Sequence, residues 1–332
     1  MKVIVTGAAG FVGACVIAAL RARGHQVVAC DIGWFSAART DRAAYVPCDF
    51  RQLRSVQLEG VAAIIHLAGF SNDPLGALAP DVTHALNTAA TLDLARRARA
   101  AGVGAFVFAS SCSVYGDSGA AALDEGAPIA PLTPYAQAKT DAETGLLALV
   151  TPQFRVAALR GATAFGPSAC PRTDLLLNEL CALAACGKPL TLTSDGQSWR
   201  PFMPVQDFAR AFVAALHPPA LPTPRPIWNI APPQMQMTVA QAAQRAARVA
   251  GAAPPVLGAN AGRDLRSYQV LGSAFSRAYP AFAYSDDFDA AVRETVASFR
   301  ALPNLAGDLA ARRFVRLANL PASATRQARD AL

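Results

Sequence analysis

The 332-residue chain is 53% hydrophobic and 16% charged, and its 30 Lys and Arg against 23 Asp and Glu give a formal charge of +7. That balance excludes a disordered chain, and the length suffices for one large α/β unit or two modest domains around a buried core. No apolar run approaches the roughly 18–20 uncharged residues of a membrane span, and the opening Lys2-Val-Ile-Val-Thr-Gly7 lacks the parts of a secretory signal, so no membrane partner and a cytoplasmic location are expected.

Short β-branched runs alternate with Ala/Leu/Arg stretches through the first half. The pattern predicts a strand at Lys2–Thr6, a helix at Phe11–Arg23, and strands at Gln26–Cys30, Tyr45–Cys48 and Ala62–Leu67. A helix over Pro80–Ala101, a strand at Ala105–Ala109, a helix from Pro134 to about Val150 and a strand at Arg155–Leu159 follow. Strands this continuously apolar require burial on both faces, so the expected fold class is α/β, a Rossmann-type doubly wound parallel sheet with a smaller α/β carboxy-terminal part.

Beyond Gly166 the pattern predicts helices at Asp174–Cys186, Val205–Leu216, Val239–Ala250 and around Phe288–Phe299, and strands at Leu190–Thr193 and Ile227–Ile230. A Pro-rich passage at His217–Pro226 reads as a surface connection, and Arg263–Tyr268 as a loop. The expected division is 1–166 for the first domain, with a contribution from about 205–232, and 167–332 for the second. The tail Leu305–Leu332, with Arg312, Arg313 and Arg316, offers no functional reading.

Seven cysteines without a C-x-x-C pair predict neither disulfides nor a metal site. The arginines are scattered and do not form the cluster of a nucleic-acid reader, so an anionic small molecule fits the charge better.

Gly7-Ala-Ala-Gly10-Phe11-Val12-Gly13 follows the first predicted strand and opens the first helix. Glycines there permit a tight turn and the approach of a pyrophosphate to backbone N–H groups at a positive helix end. The spacing G-x-x-G-x-x-G is one residue longer than the dinucleotide fingerprint. Asp31 ends the second strand, where an acid accepts from ribose hydroxyls and repels a 2′-phosphate, which favours NAD over NADP; Arg39 nearby bears on that preference. Asp49-Phe50 ends the third strand, where the acid is placed for an adenine edge.

Tyr135-Ala-Gln-Ala-Lys139 follows a good N-cap, Thr133, and a good first helical residue, Pro134, so Tyr135 and Lys139 share one face of a first turn. The cation one turn away and the positive helix end both favour a phenolate. Ser110-Ser111-Cys112-Ser113-Val114-Tyr115-Gly116 lies at the carboxyl edge of the predicted sheet, where a hydroxyl meets a developing oxyanion; Ser110 reads there as a turn residue.

These segments, with His66-Leu67-Ala68-Gly69, Asn87, Ala164-Phe165-Gly166-Pro167, Arg200-Pro201-Phe202 and Trp228-Asn229-Ile230, together resemble the extended short-chain dehydrogenase/reductase family in its NAD-dependent epimerase/dehydratase branch. The resemblance implies that Tyr135 is the acid/base, Lys139 the residue that binds the nicotinamide ribose and lowers the tyrosine pKa, and Ser111 the catalytic hydroxyl. It implies a cofactor site of Gly7, Gly10, Phe11, Val12, Gly13, Asp31, Asp49, Phe50, Leu67, Ala68, Gly69, Asn87, Tyr135 and Lys139. The carboxy-terminal part then binds substrate, a nucleotide-diphosphate sugar held by Ser111, Ser113, Asn178, Arg200 and Arg266. A homodimer through the helices Pro80–Ala101 and Pro134–Val150 would explain their several apolar faces, and core burial in a monomer explains them too.

One departure narrows the activity. Relatives that perform 4,6-dehydration carry Asp and Glu where this chain has Cys112 and Ser113, neither of which serves as an acid or base at neutral pH. The expected function is an NAD-dependent nucleotide-sugar epimerase working through a transient 4-keto intermediate. The alternative is an NAD(P)-dependent nucleotide-sugar 4-ketoreductase or dehydrogenase of the same family.

Overall fold

The computed structural model describes residues 1–41, 45–220, 223, 225–262 and 264–325. Seven strands form the central parallel sheet: β1 (Lys2–Thr6), β2 (Gln26–Asp31), β3 (Val46–Pro47), β4 (Ala63–His66), β5 (Ala105–Ser111), β6 (Arg155–Gly161) and β7 (Ile227–Ile230). Val3, Val5, Ile64, Ile65, Phe106, Val107 and Leu159 are buried on its two faces, which is why these strands read as unbroken apolar runs. The spatial order β7-β6-β5-β4-β1-β2-β3 places the reversal of winding between β1 and β4. In such sheets a crevice opens outside the strand ends at that reversal. Thr6 pairs with both Cys30 and His66 across the register, so the ends of β1, β2 and β4 meet there.

The helices of the two lobes include α1 (Phe11–Arg21), α2 (Asp73–Leu78), α3 (Pro80–His84), α4 (Ala90–Ala100), α5 (Pro134–Leu147), α6 (Leu176–Ala185), α7 (Val205–Ala214), α8 (Val239–Ala250) and α9 (Phe288–Arg300). The single helix expected over Pro80–Ala101 is instead α3 and α4 joined by a π-helical turn at Ala85–Ala89. That turn carries Asn87, whose amide donates to Phe70 O and accepts from Phe70 N, both at 2.9 Å. The strand expected at Tyr45–Cys48 shrinks to two residues because Pro47 lacks a ladder donor at the sheet edge.

Residues beyond 205 return to the first lobe: α7 packs along α1, and β7 extends the sheet beyond β6. The second lobe gathers α6, α8 and α9 around Phe165, Phe202, Met235 and Phe299. Of its short strands, only Thr191–Ser194 was expected, at Leu190–Thr193. Ser267–Val270 pairs with Asp117–Leu123, Trp199–Pro204 with Thr163–Phe165 and Gln236–Thr238, and Val256–Gly262 with Thr191–Ser194. Most of these pairings join distant stretches, so no local period announces them. The expected loop from Arg263 to Tyr268 is therefore partly strand; Arg263 itself, like residues 326–332 of the tail, lies outside the described residues.

The segment after Leu305 crosses from one lobe to the other. Arg313 donates to Ala37 O at 3.0 Å and to Arg39 O at 3.2 Å. Phe314 O accepts from Thr173 N at 3.0 Å, and the Arg316 guanidinium lies 4.3 Å from the centre of the Phe35 ring. Among the described residues no helix is long and apolar enough to cross a membrane.

Candidate active site

At the end of β1 the backbone turns at Gly7, with φ of +71°. A Cβ there would lie 2.8 Å from the backbone of Leu67 and Ala68, and one at Gly13 would collide with Gly7 O. Both positions therefore admit glycine alone. Gly10 precedes α1 in extended backbone, and no side chain caps the helix, whose first turn holds Phe11, Val12 and Gly13 and no acid. An uncapped helix start beside a loop pressed this close to its neighbours fits the pyrophosphate of a dinucleotide.

Asp31 braces the same loop, with Oδ2 accepting from Ala9 N at 2.9 Å and Oδ1 from Gly33 N at 2.7 Å. The cleft beside it is lined by Thr6, Gly7, Asp31, Trp34, Asp49, Phe50, Ala68 and Gly69, so six of the expected cofactor residues, Gly7, Asp31, Asp49, Phe50, Ala68 and Gly69, share one cleft. Asp49 is paired with Arg51 at 2.6 Å, and Arg39 with Asp41 at 2.5 Å. Leu67, Ala68 and Gly69 follow β4, and Asn87 holds that loop through Phe70. Asn87 is 1% exposed, with both ends of its amide engaged by protein, so the structure places it behind the cleft.

Beneath the cleft His66 is fully buried, with Nδ1 2.7 Å from Thr6 Oγ1 and Nε2 2.9 Å from Thr91 Oγ1. Burial, aided by the charge of Lys139, pushes its pKa down to about 3, so the ring is neutral and the two hydroxyls complete it.

The second half of the site stands at the end of β5. Ser111 Oγ accepts from Ser113 N at 3.2 Å and from Ser113 Oγ at 2.9 Å. Thr133 caps α5 by accepting from Ala136 N at 3.1 Å, and Tyr135 stands in the first turn, where Ser111 is near enough to act on the pKa of its phenol. Lys139 is 5% exposed; its Nζ donates to Ala109 O at 2.7 Å and lies 5.7 Å from the centre of the Tyr135 ring. Ser111, Tyr135 and Lys139 thus come together.

Their electrostatics correct the sequence reading. Burial, reinforced by the carboxylate of Asp73, raises the Tyr135 phenol above its ordinary range, against the smaller opposing effects of Ser111 and Arg172. Burial also brings Lys139 down to about 8, with Glu143 opposing. The lysine points to a backbone carbonyl, and desolvation outweighs the helix end, so the phenol is protonated near neutrality. Ser110 is likewise no turn residue: it belongs to β5 and donates to Glu143 Oε1 at 2.5 Å.

On the far side of Tyr135, Arg200 donates to Asp264 at 2.7 Å and to Arg266 O. Arg266 binds Asp264 at 2.8 Å and also Asp73, whose Oδ1 accepts from Thr133 Oγ1 at 2.5 Å. A chain of charges therefore runs from the second lobe to the helix of Tyr135 and brings Arg200 and Arg266, two of the expected substrate-binding residues, together. Asn178 stands separately on α6, where Oδ1 accepts from Gly166 N at 2.9 Å and the buried Nδ2 has no partner among the described residues. Sequence reasoning missed Asp73, Tyr268 and the Arg172–Asp174 pair at 2.9 Å, which carry no recognisable spacing. The local signals near Asp73 were Asn72, which caps α2, and the Pro in its first turn.

Residues 3–231 match the family model described as NAD dependent epimerase/dehydratase family. The chain is 31% identical to a UDP-glucose 4-epimerase of Azospirillum brasilense over 65% of its own length and 68% of that protein's. It is 30% identical to a UDP-glucose 4-epimerase of Mycolicibacterium smegmatis over 65% and 73%. Among solved structures, MoeE5 in complex with UDP-glucose and NAD superimposes with a TM-score of 0.77 at 26% identity, covering 90% of this chain and 99% of that one.

Proposed function

The chain belongs to the NAD-dependent epimerase/dehydratase family and is an enzyme with NAD as its cofactor, and from that premise we propose that it is a nucleotide-sugar epimerase acting at the sugar C4. The observation that carries the reading is the convergence of Ser111, Tyr135 and Lys139 at the end of β5, one strand removed from the β1 that leads into the glycine loop. The similarity to UDP-glucose 4-epimerases supports the choice of reaction.

Gly7, Gly10 and Gly13 would hold the pyrophosphate, Asp31 the adenosine ribose and Lys139 the nicotinamide ribose. When bound, NAD supplies a reversible hydride acceptor for the sugar carbon. The proton belongs to this chain's own residues: the Tyr135 oxygen takes it from the sugar hydroxyl and returns it to the inverted one. Ser111 donates to the sugar oxygen as charge develops on it. Because Tyr135 rests protonated in the free protein, it must lose its proton before it acts as a base. Arg200 and Arg266 are the cations for the sugar nucleotide's diphosphate.

Elimination of water has little support from this site. Cys112 is 1% exposed, donates to Arg160 O at 3.2 Å and is pushed far above the usual thiol range by burial, and Ser113 is committed to Ser111. The test is a panel of UDP-, GDP- and dTDP-hexoses offered without added cofactor and followed by NMR. Inverted sugar with NAD retained is expected, and Tyr135→Phe should abolish inversion while keeping NAD bound. Stoichiometric redox change of added NAD(H) or NADP(H) would move the assignment to a ketoreductase or dehydrogenase, and an active Tyr135→Phe enzyme would overturn the role of Tyr135.

A further inference from the structure

One turn beyond Lys139 on α5, Glu143 is 2% exposed and faces Arg160 of β6, also 2% exposed. Arg160 grips both carboxylate oxygens, at 2.7 Å through Nη2 and at 3.0 and 3.2 Å through Nε. Ser110 adds a third donor at 2.5 Å. The remaining arm of Arg160 donates to Tyr115 Oη at 2.8 Å, and that hydroxyl reaches Asn229 Oδ1 at 2.8 Å. The carboxylate therefore has one available position.

A buried ion pair is a poor stabilising device, because well-packed apolar side chains of the same size do as well or better. What apolar side chains would not supply is a negative charge one helical turn from Lys139. Successive residues at the end of β5 connect the two groups: Ala109 O takes the ammonium and Ser110 Oγ serves the carboxylate. We infer that Glu143 is the positioning residue of Lys139: fixed by Arg160 and Ser110, its carboxylate supplies the counter-charge that keeps the buried ammonium cationic and seated on the Ala109 carbonyl.

Among the described residues, the surroundings leave that task to Glu143. From β4, His66 faces Lys139 as a neutral ring; from β5 come the Ala109 carbonyl and the Phe108 ring, its centre 4.6 Å from Nζ. From α5 itself come Tyr135, protonated at rest, and Glu143. Arg160 stands behind Glu143. Burial has already brought Lys139 to about 8 with Glu143 opposing it, so loss of that carboxylate would let burial lower the lysine further. The inference rests on the proposed function only in giving Lys139 a catalytic purpose.

Lysine occurs at positions 2, 139 and 188 alone, so Lys2→Arg with Lys188→Arg leaves Lys139 as a single ¹⁵N-labelled amine for NMR titration. In that background Glu143→Gln should make Lys139 titrate at a pH lower by about 1–3, the size of effect a neighbouring charge exerts. Arg160→Gln should leave it unchanged or raise it. General loosening of the core would instead move Lys139 upward in both variants, toward its ordinary 10.5. An unchanged or raised titration in Glu143→Gln overturns the inference. Should the stranded Arg160 prevent that variant from folding, Glu143→Gln with Arg160→Gln leaves neither charge of the pair in the core, and the downward shift is expected there on the same terms. Lys139→Met is the separate control: full turnover in it would refute the catalytic reading of the lysine and leave the titration to judge Glu143 alone.

Discussion

Acid should loosen this protein through His66, and the structure sets the size of the effect. The ring is fully buried between Thr6 and Thr91, with Phe50 edge-on at 4.8 Å and Phe108 stacked at 6.2 Å. Folding lowers its pKa from 6.5 to about 3. The folded state keeps the ring neutral while the unfolded chain binds a proton below 6.5, so the contribution is complete above that pH and is lost as pH falls toward 3. The depression corresponds to about 5 kcal/mol over the whole window, and about 2 kcal/mol is lost by pH 5. Urea unfolding of the parent and of His66→Gln at pH 7.5 and pH 5 isolates this group from the carboxylates common to both. The variant should be less stable at pH 7.5, having lost a hydroxyl partner, and the parent should lose about 2 kcal/mol more than the variant on acidification. Parallel losses would refute the argument. Because Thr6 also lines the cofactor cleft, NAD retention should fall with the same pH dependence in the parent.

Two other changes test the cleft. Gly13→Ala drives a methyl group into the Gly7 carbonyl and should destabilise the protein by about 1–3 kcal/mol and strip it of NAD, read as the cofactor content of the purified protein; parental content would contradict the close packing. Asn87→Ala leaves the N–H and C=O of Phe70 without their partner, at a cost of about 1–3 kcal/mol for each buried group; an unchanged urea midpoint would show that Asn87 does not hold the loop.

How much of this was legible follows from the reach of each interaction. The parallel sheet was readable because two-sided burial makes each strand a continuous apolar run, and α5 because Thr133 and Pro134 start it and Tyr135 and Lys139 repeat at one turn. The glycine loop was readable for the same local reason. Asp73, Glu143 and Arg160 were not, since Arg266 lies 193 positions from Asp73 and Arg160 lies 17 from Glu143 on a different element. The protonation of Tyr135 was misread for a related reason: one turn of helix predicts a cation beside the phenol, but the depth of burial that outweighs it is set by residues contributed from both lobes. Asn87 was placed at the site but not in its part, because the π-turn that aims it at Phe70 leaves no mark in the pattern of apolar residues.

The crossing segment at Arg313 bears on the order in which the molecule assembles. Its hydrogen bonds to Ala37 and Arg39 span 276 and 274 positions, whereas the central sheet is complete once β7 has formed at residue 230. Contacts of such long range are the slowest to gain and add most to contact order. During synthesis the sheet can pair and bury its faces before residue 313 exists, while the loop after β2 waits for Arg313 to anchor it. The adenosine side of the crevice would therefore be the last part to reach its final shape, and the refolding phase that restores NAD binding should lag behind the one that restores strand signal.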